Sequence, residues 1–324
     1  MSNRLGAEMS VGFKPEAVPG TPEATVNLFL PHNGFLLFDD PKPIEREVSF
    51  MALGKKPGIA GHLKPRGKVM TELYAGAGSK PLYWMMGSIA TTQPDPVNSP
   101  TVYLHTISLV KTKISLTVEG DEIDAEAKQA GAQLNKLSIS AAAGEKPKMD
   151  FDWLSLTHDT APGLTSVPSF SGLTPLSFVG ASFKVAGALD QTIKQATFEM
   201  DNQLEAKESF NQSRLPSVIR AKEIPKITGK IGFIDLKPAE AARLRAADIF
   251  ALEYLFEGAI IEDAFKEYVK ITLPACQYTA GFDKERGLSV AEDEGTWAAY
   301  INEADSKIIE IKVQNPLNNA SMIA

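Results

Sequence analysis

The side chains able to do chemistry are few and lie far apart. His32, His62, His105 and His158 never form the i, i+4 pair that would turn two imidazoles toward one metal ion. Cys276 is the single cysteine, with no partner for an intrachain disulfide and no companions for a thiolate site. Gly76-Ala-Gly78-Ser-Lys lacks the third glycine of a dinucleotide loop and the spacing of a phosphate loop, and reads as a turn. No G-x-S-x-G nucleophile elbow is present. The acidic clusters Asp39-Asp40, Asp121-Glu122 and Glu292-Asp293-Glu294 could serve as acid and base or bind calcium, yet none alternates its oxygen ligands as a calcium loop does. They read as solvated turns. His105, inside Tyr103-Leu-His-Thr-Ile-Ser-Leu109, reads as a hydrogen-bonded structural histidine. Trp84, Trp153 and Trp297 are not interleaved with basic residues, so they are expected to anchor a core or interface rather than stack on bases. The expectation is a protein without catalysis, metal or cofactor.

The elements carrying these residues are mostly strands. Ile114, Leu116 and Val118 alternate with Lys113, Ser115 and Thr117, which puts the apolar side chains on one face. Leu137 and Ile139, then Val269, Ile271 and Leu273, then Ile309, Ile311 and Val313 repeat the pattern. One-sided strands of this kind suit antiparallel sandwiches or barrels. Two helices are predicted. Pro238-Ala-Glu-Ala-Ala-Arg-Leu-Arg has proline at a first position and Arg243 and Arg245 toward the negative end of the helix dipole; Lys80 to Gly87 occupies a comparable place earlier. Both are expected to lie as lids on sheets.

Length and charge narrow the class. A chain of 324 residues suggests two domains of roughly 150. With 44% hydrophobic and 23% charged residues, global disorder and fibrous repeats are excluded. A net charge of -7 leaves no overall basic field for tight nucleic-acid binding, and a mildly acidic surface fits a protein that nucleic acid passes without sticking. The start, MSNRLGAEMS, shows no long apolar run, so no secretory signal is read, and the acceptor patterns at Asn211 and Asn319 carry no weight without one. Ile249 to Ile261 is interrupted by Glu253 and Glu257, so no membrane span is expected.

Between Thr157 and Pro175, Pro, Gly, Ser and Thr replace the alternation, which predicts a linker. The expected division is residues 1–160, a linker at 161–175, and residues 176–324. The two sides echo each other. Glu45-x-x-x-Ser49-Phe50 and Glu205-x-x-x-Ser209-Phe210 are offset by 205 − 45 = 160 residues, and Pro65 and Pro225 by the same interval, each succeeded by a Gly-Lys-aliphatic triplet beginning at Gly67 or Gly229. A helix candidate comes next in both halves, so duplication is the favoured reading.

The order of several segments carries a resemblance. Gly12-Phe-Lys-Pro-Glu and Pro19-Gly-Thr precede Lys80-Pro-Leu-Tyr-Trp-Met-Met-Gly87, His105-Thr-Ile-Ser-Leu109 and Gly131-Ala-Gln-Leu-Asn-Lys-Leu-Ser-Ile139; the second half adds Ala196-Thr-Phe-Glu-Met-Asp-Asn-Gln-Leu204 and Ile227-Thr-Gly-Lys-Ile231. Together they resemble tail tube proteins of long-tailed, siphovirus-like bacteriophages, in the tandem form with two tube-like halves. The resemblance implies a mainly β fold of two antiparallel sandwich or barrel domains, each with a short helix, whose sheets join into the wall of a lumen.

It further implies a virion protein assembled in the host cytoplasm. Its partners would be other copies of itself in stacked rings of three chains with pseudo-sixfold symmetry, tape-measure protein, tail terminator and tail-tip proteins, and viral DNA in transit. Segments Val48 to Arg66 and Ser209 to Lys226 resemble the loops that dock one ring onto the next. The candidates for that contact are Phe50, Lys55, Lys56, Ile59, His62, Lys64, Phe210, Arg214, Ile219, Arg220 and Lys222. Competing readings are another ring of a phage tail or injection machine, such as a hub or terminator, and a β-sandwich that binds or cleaves carbohydrate.

Overall fold

The computed structural model describes residues 9–41, 59–122, 125–170, 173–209, 213–235, 237–282 and 293–324. The predicted alternation becomes strands. In chain order these are β1 (Ser10–Pro15), β2 (Leu28–Phe29), β3 (His32–Asp39), β4 (Pro65–Glu72), β5 (Gly87–Thr92), β6 (Tyr103–Leu109), β7 (Leu116–Glu122), β8 (Ala125–Ala142), β9 (Lys148–Leu154) and β10 (Thr157–Asp159). Next come β11 (Ala181–Val185), β12 (Ala188–Leu189), β13 (Ile193–Asp201), β14 (Leu204–Lys207), β15 (Val218–Ala221), β16 (Lys226–Phe233), β17 (Phe250–Glu262), β18 (Phe265–Gly281), β19 (Asp293–Ala299) and β20 (Glu310–Asn315). The helices are α1 (Lys80–Met86), α2 (Pro238–Ala246) and α3 (Asn319–Ile323). The fold is mainly β, in antiparallel sandwiches with few short helices.

Strand pairing repeats. Hydrogen bonds run in the order β2-β1-β7-β8-β9-β4-β3 and again in the order β12-β11-β17-β18-β19-β16-β13, every neighbour antiparallel. Details repeat too. Gly67 lies opposite Trp153 and Gly229 opposite Trp297, so the pairing aligns positions 229 − 67 = 162 residues apart, two more than the motif offset. A bulge interrupts β3 between His32 and Gly34 and β13 between Ile193 and Gln195. Another interrupts β8 between Leu134 and Lys136 and β18 between Tyr278 and Ala280. A bulge adds one residue and re-aims the strand beyond it, so its placement governs where each sheet bends.

The core lies between two layers. Phe13 of β1 meets Phe151 and Trp153 of β9 at ring separations of 5.6 and 5.5 Å, and Trp84 of α1 at 5.7 Å. In the second half Tyr254 of β17 meets Trp297 of β19 at 6.2 Å. The long strands β8 and β18 serve both layers: β8 pairs first with β7 and then with β9, and β18 first with β17 and then with β19. A Cβ on Gly67 would stand in the Trp153 indole, and one on Gly229 would meet both the Thr197 carbonyl oxygen and the Trp297 indole.

The two predicted helices differ in burial. All seven residues of α1 are buried, and its chain is turned at Gly87, φ 94°, into β5. In α2 only Glu240 and Ala241 are buried. The cause is the β5–β6 hairpin, which lies between α1 and β7 in the chain, has no counterpart after α2, and packs on α1. Among its described residues the predicted linker holds no strand after β10, but it is not a free tether. Leu164 N donates to Glu126 Oε2 at 2.9 Å, Val26 N to Ser166 Oγ at 2.9 Å and Leu176 N to Leu73 O at 2.8 Å, which lays it along the first half.

Two junctions unite the halves. Lys136 to Ala142 of β8 pair with Gln195 to Asp201 of β13, and β20 inserts between β18 and β6. Buried polar groups lock both. Asn202 Nδ2 donates to the Met85 and Leu134 carbonyls at 3.0 and 3.1 Å. Asn315 Nδ2 donates to the Ala75 carbonyl at 2.8 Å, which orients Asn315 Oδ1 to accept from His105 Nε2 at 3.0 Å. His105 Nδ1 lies 2.8 Å from Thr91 Oγ1. Burial pushes the His105 pKa down from its ordinary 6.5, which favours the neutral ring.

Gly67→Ala and Gly229→Ala should each lower the urea midpoint, by about 1–3 kcal/mol of overpacking against the indole; an unchanged midpoint for either would show that its tryptophan yields freely. His105 and His32 both have pKa values lowered by burial. The unfolded chain therefore takes up protons first, and the associated stability, present above pH 6.5, is lost as pH falls through the folded values. Urea midpoints at pH 7.5 and 5.5 should show that loss, and His105→Gln should remove part of it.

Candidate assembly surface

The dispersed reactive residues stay dispersed. Among the described residues no three His, Cys, Asp or Glu side chains group to hold a metal ion. Cys276 is buried, and burial pushes its thiol pKa up, away from the reactive thiolate. His32 Nε2 faces the Met9 carbonyl at 3.3 Å, and His158 Nδ1 faces Asp39 at 3.2 Å. Asp40 pairs with Arg66 at 3.4 Å, Asp293 accepts from Lys237 N, and Glu294 pairs with Lys230 at 3.0 Å. These carboxylates hold turns and strands in place.

The extended feature is one face of the sheet. The strands β3-β4-β9-β8-β13-β16-β19-β18 form a continuous antiparallel row that crosses from one half to the other at β8–β13. Alternation buries one side, as in Val69, Phe151, Ile139, Phe198 and Ile231. The other side carries Arg66, Lys68, Lys136, Lys148, Lys226 and Lys230 against Glu72, Asp150, Asp152, Glu199, Asp201 and Glu294, equal numbers of each sign. Opposite charges neighbour one another across strands: Lys68 with Asp150 at 3.9 Å, Lys136 with Asp201 at 3.5 Å, Lys230 with Glu294 at 3.0 Å. A depression of about 350 Å³ opens on this face over the β8–β13 junction, lined by Lys68, Lys136, Asp150, Asp152, Asp201 and Lys226 among others. Partial burial there raises the pKa of Asp150 and Asp152.

A second feature is the pair of connections that leave this row. The segment between β13 and β16 folds into the β14–β15 hairpin. The segment between β3 and β4 approaches it through residues that the sequence nominates. Arg214 Nε donates to the Gly61 carbonyl at 2.7 Å, and Leu63 N donates to the Arg214 carbonyl at 2.8 Å. Glu208 lies 3.4 Å from Lys64 and 3.9 Å from His62. Ile59 is 45% exposed, and Arg220 stands on β15 opposite Glu205. Ile219 is 7% exposed, its side chain already covered within the chain. Lys222 N donates to the Gln203 carbonyl at 2.8 Å, and Lys222 borders an apolar cleft with Leu109, Val110, Ile224 and Pro225. Phe50, Lys55, Lys56 and Phe210 lie outside the described residues. Sequence reasoning missed Glu208, the carboxylate that gathers both basic groups, although it directly precedes the repeated Ser209-Phe210.

A sheet continuous across two repeated halves, with paired arms leaving it, is the setting in which the chain's relatives are to be placed. The family model described as phage tail tube protein matches residues 6–233, and the chain belongs to that family. No curated protein sequence matches it. It is therefore a structural component of the phage tail, from a family whose members assemble with themselves into a tube. No helix of the described residues is long and apolar enough to cross a membrane.

Arg214→Ala should release the Gly61 carbonyl and loosen the contact between the two connections. Hydrogen exchange at the Leu63 amide should quicken by a factor of about 5–10, from the loss of roughly 1 kcal/mol. An unchanged rate would mean that the backbone bond from Leu63 holds the contact by itself.

Proposed function

We propose that this chain is the major tail tube subunit, forming stacked hollow rings through which viral DNA passes. The observation that supports this best is the continuous sheet from β3 to β18, with a polar face of balanced charge and a depression over the β8–β13 junction. A wall of that composition offers passing phosphates as many repulsive as attractive groups, so DNA gains little from counterion release and does not stick. The same lumen would hold tape-measure protein during assembly in the host cytoplasm, with terminator and tip proteins at the two ends.

In this reading residues 1–160 and 176–324 are duplicated tube domains joined by 161–175, so three chains complete a pseudo-sixfold ring. The repeated pairing order and the paired glycine–tryptophan contacts support duplication. The connections carrying Ile59, His62 and Lys64, and Arg214 and Arg220, are the arms that dock one ring on the next. They are tied to each other within the chain, which would present them as one unit.

Electron microscopy of the purified protein tests the proposal. Stacked tubes are expected; solitary closed rings would favour a hub or terminator, and a monomer at high concentration would end the tube reading. Deleting Ile59 to Lys64 should leave soluble protein and rings but prevent long tubes, and tubes of normal length would remove the docking role from that arm.

A further inference from the structure

One cleft joins apolar walls to unpaired cations. It lies beside the end of α1, where the β6–β7 connection meets the chain leaving β15. Its volume is about 730 Å³, within the range of roughly 300–1,000 Å³ that small-ligand sites occupy. Backbone bonds fix both banks: Val110 N donates to the Met86 carbonyl at 2.9 Å, and Lys222 N to the Gln203 carbonyl at 2.8 Å. Asn202, buried at the junction of the halves, also lines it and donates to the Met85 carbonyl at 3.0 Å. The cleft is thus built from both halves of the chain.

Its walls are partly bare. Leu109, Val110, Ile224 and Pro225 line it, with Val110 38% and Ile224 80% exposed. Aliphatic side chains around a concavity offer area that an apolar group can remove from water.

Its charges are one-sided. Among the described residues, Lys111, Lys113 and Lys222 border the cleft with one carboxylate, Glu223, which lies 3.3 Å from Lys226 and is engaged there. Lysines near this end of the molecule have partners: Lys64 with Glu208, Lys136 with Asp201 and Lys207 with Glu205. Lys111, Lys113 and Lys222 form no ion pair among the described residues. Lys113 Nζ donates to the Met85 carbonyl at 3.2 Å, which uses one of its three donors and leaves the others for a ligand. Burial, with no carboxylate to offset it, lowers the Lys113 pKa to about 8.

We propose that this cleft binds a single-chain fatty acid, its acyl chain against Leu109, Val110, Ile224 and Pro225 and its carboxylate among Lys111, Lys113 and Lys222. A bare anion would leave the walls wet, and an uncharged chain would leave the ammonium groups unmatched. One molecule carrying both parts satisfies both. Lysine is a compact point charge, so several of them can share a carboxylate without the planar fork that arginine imposes. The site belongs to the single chain and stands apart from the tube reading.

Calorimetric titration of the full-length protein with sodium decanoate, below its micellar concentration, tests this. Saturable binding at one site per chain is expected. Decyltrimethylammonium, with the same tail and the opposite charge, should bind far more weakly, and acetate, the head without the tail, should not compete. Lys111 and Lys222 are exposed, and Lys111→Met/Lys222→Met should weaken decanoate binding by about tenfold or more, from the loss of two charge-assisted contacts. Ile224→Asp should abolish it, and unchanged urea midpoints in both variants separate a lost contact from a lost fold. Undiminished binding in the lysine variant, or equal affinity for the two decyl compounds, would overturn the proposal; should a variant misfold, the comparison of those compounds on the unaltered protein decides. Absence of saturable binding would overturn it as well, and if Ile224→Asp then stopped tube growth, the cover of the cleft would be another copy of the chain.

Discussion

Backbone N–H and C=O groups along strand edges govern this chain. Each unmatched edge needs a partner, water or a device that repels neighbours. A sheet that continues from one half into the next meets the need internally at β8–β13.

The halves repeat a plan but not its execution. In the first, the β5–β6 hairpin covers α1 and supplies an edge for β20, so the last strand of the chain is held in the earlier half. Asn202 and Lys113 both donate to the Met85 carbonyl at the end of α1, which gives a short helix a satisfied terminus. The second half lacks the hairpin, and α2 ends instead at Ala247 in the left-handed region, φ 55°, with Arg243 and Arg245 in its last turn. These asymmetries bind the halves into one unit.

The polar face and the buried face impose opposite demands on the same strands. Inward positions carry tryptophan, phenylalanine and branched aliphatics because they exclude water, and the glycines opposite Trp153 and Trp297 make room for the rings. Outward positions alternate sign across neighbouring strands, where each exposed pair adds little stability. Summed over this face, their field is near neutral. Charge balance is thus a property of the surface rather than of any residue.

Much of this was legible in the sequence. The apolar alternation of Leu137 and Ile139, Val269 to Leu273 and Ile309 to Val313 placed strands β8, β18 and β20, and Pro238 and Lys80 marked both helices that the sequence nominated. The Gly-Lys-aliphatic triplets beginning at Gly67 and Gly229 hinted at the repeated order. These are local signals, set by the period of side chains along a strand and by backbone constraints at single residues. The partners across each ladder were left to the tertiary structure. β8 meeting β13, β20 inserting beside β6, His105 bridging Thr91 to Asn315 and Glu208 gathering two basic groups all join residues distant in the chain. A strand's alternation says which face is buried, but its two edges look alike until the chain has closed around them.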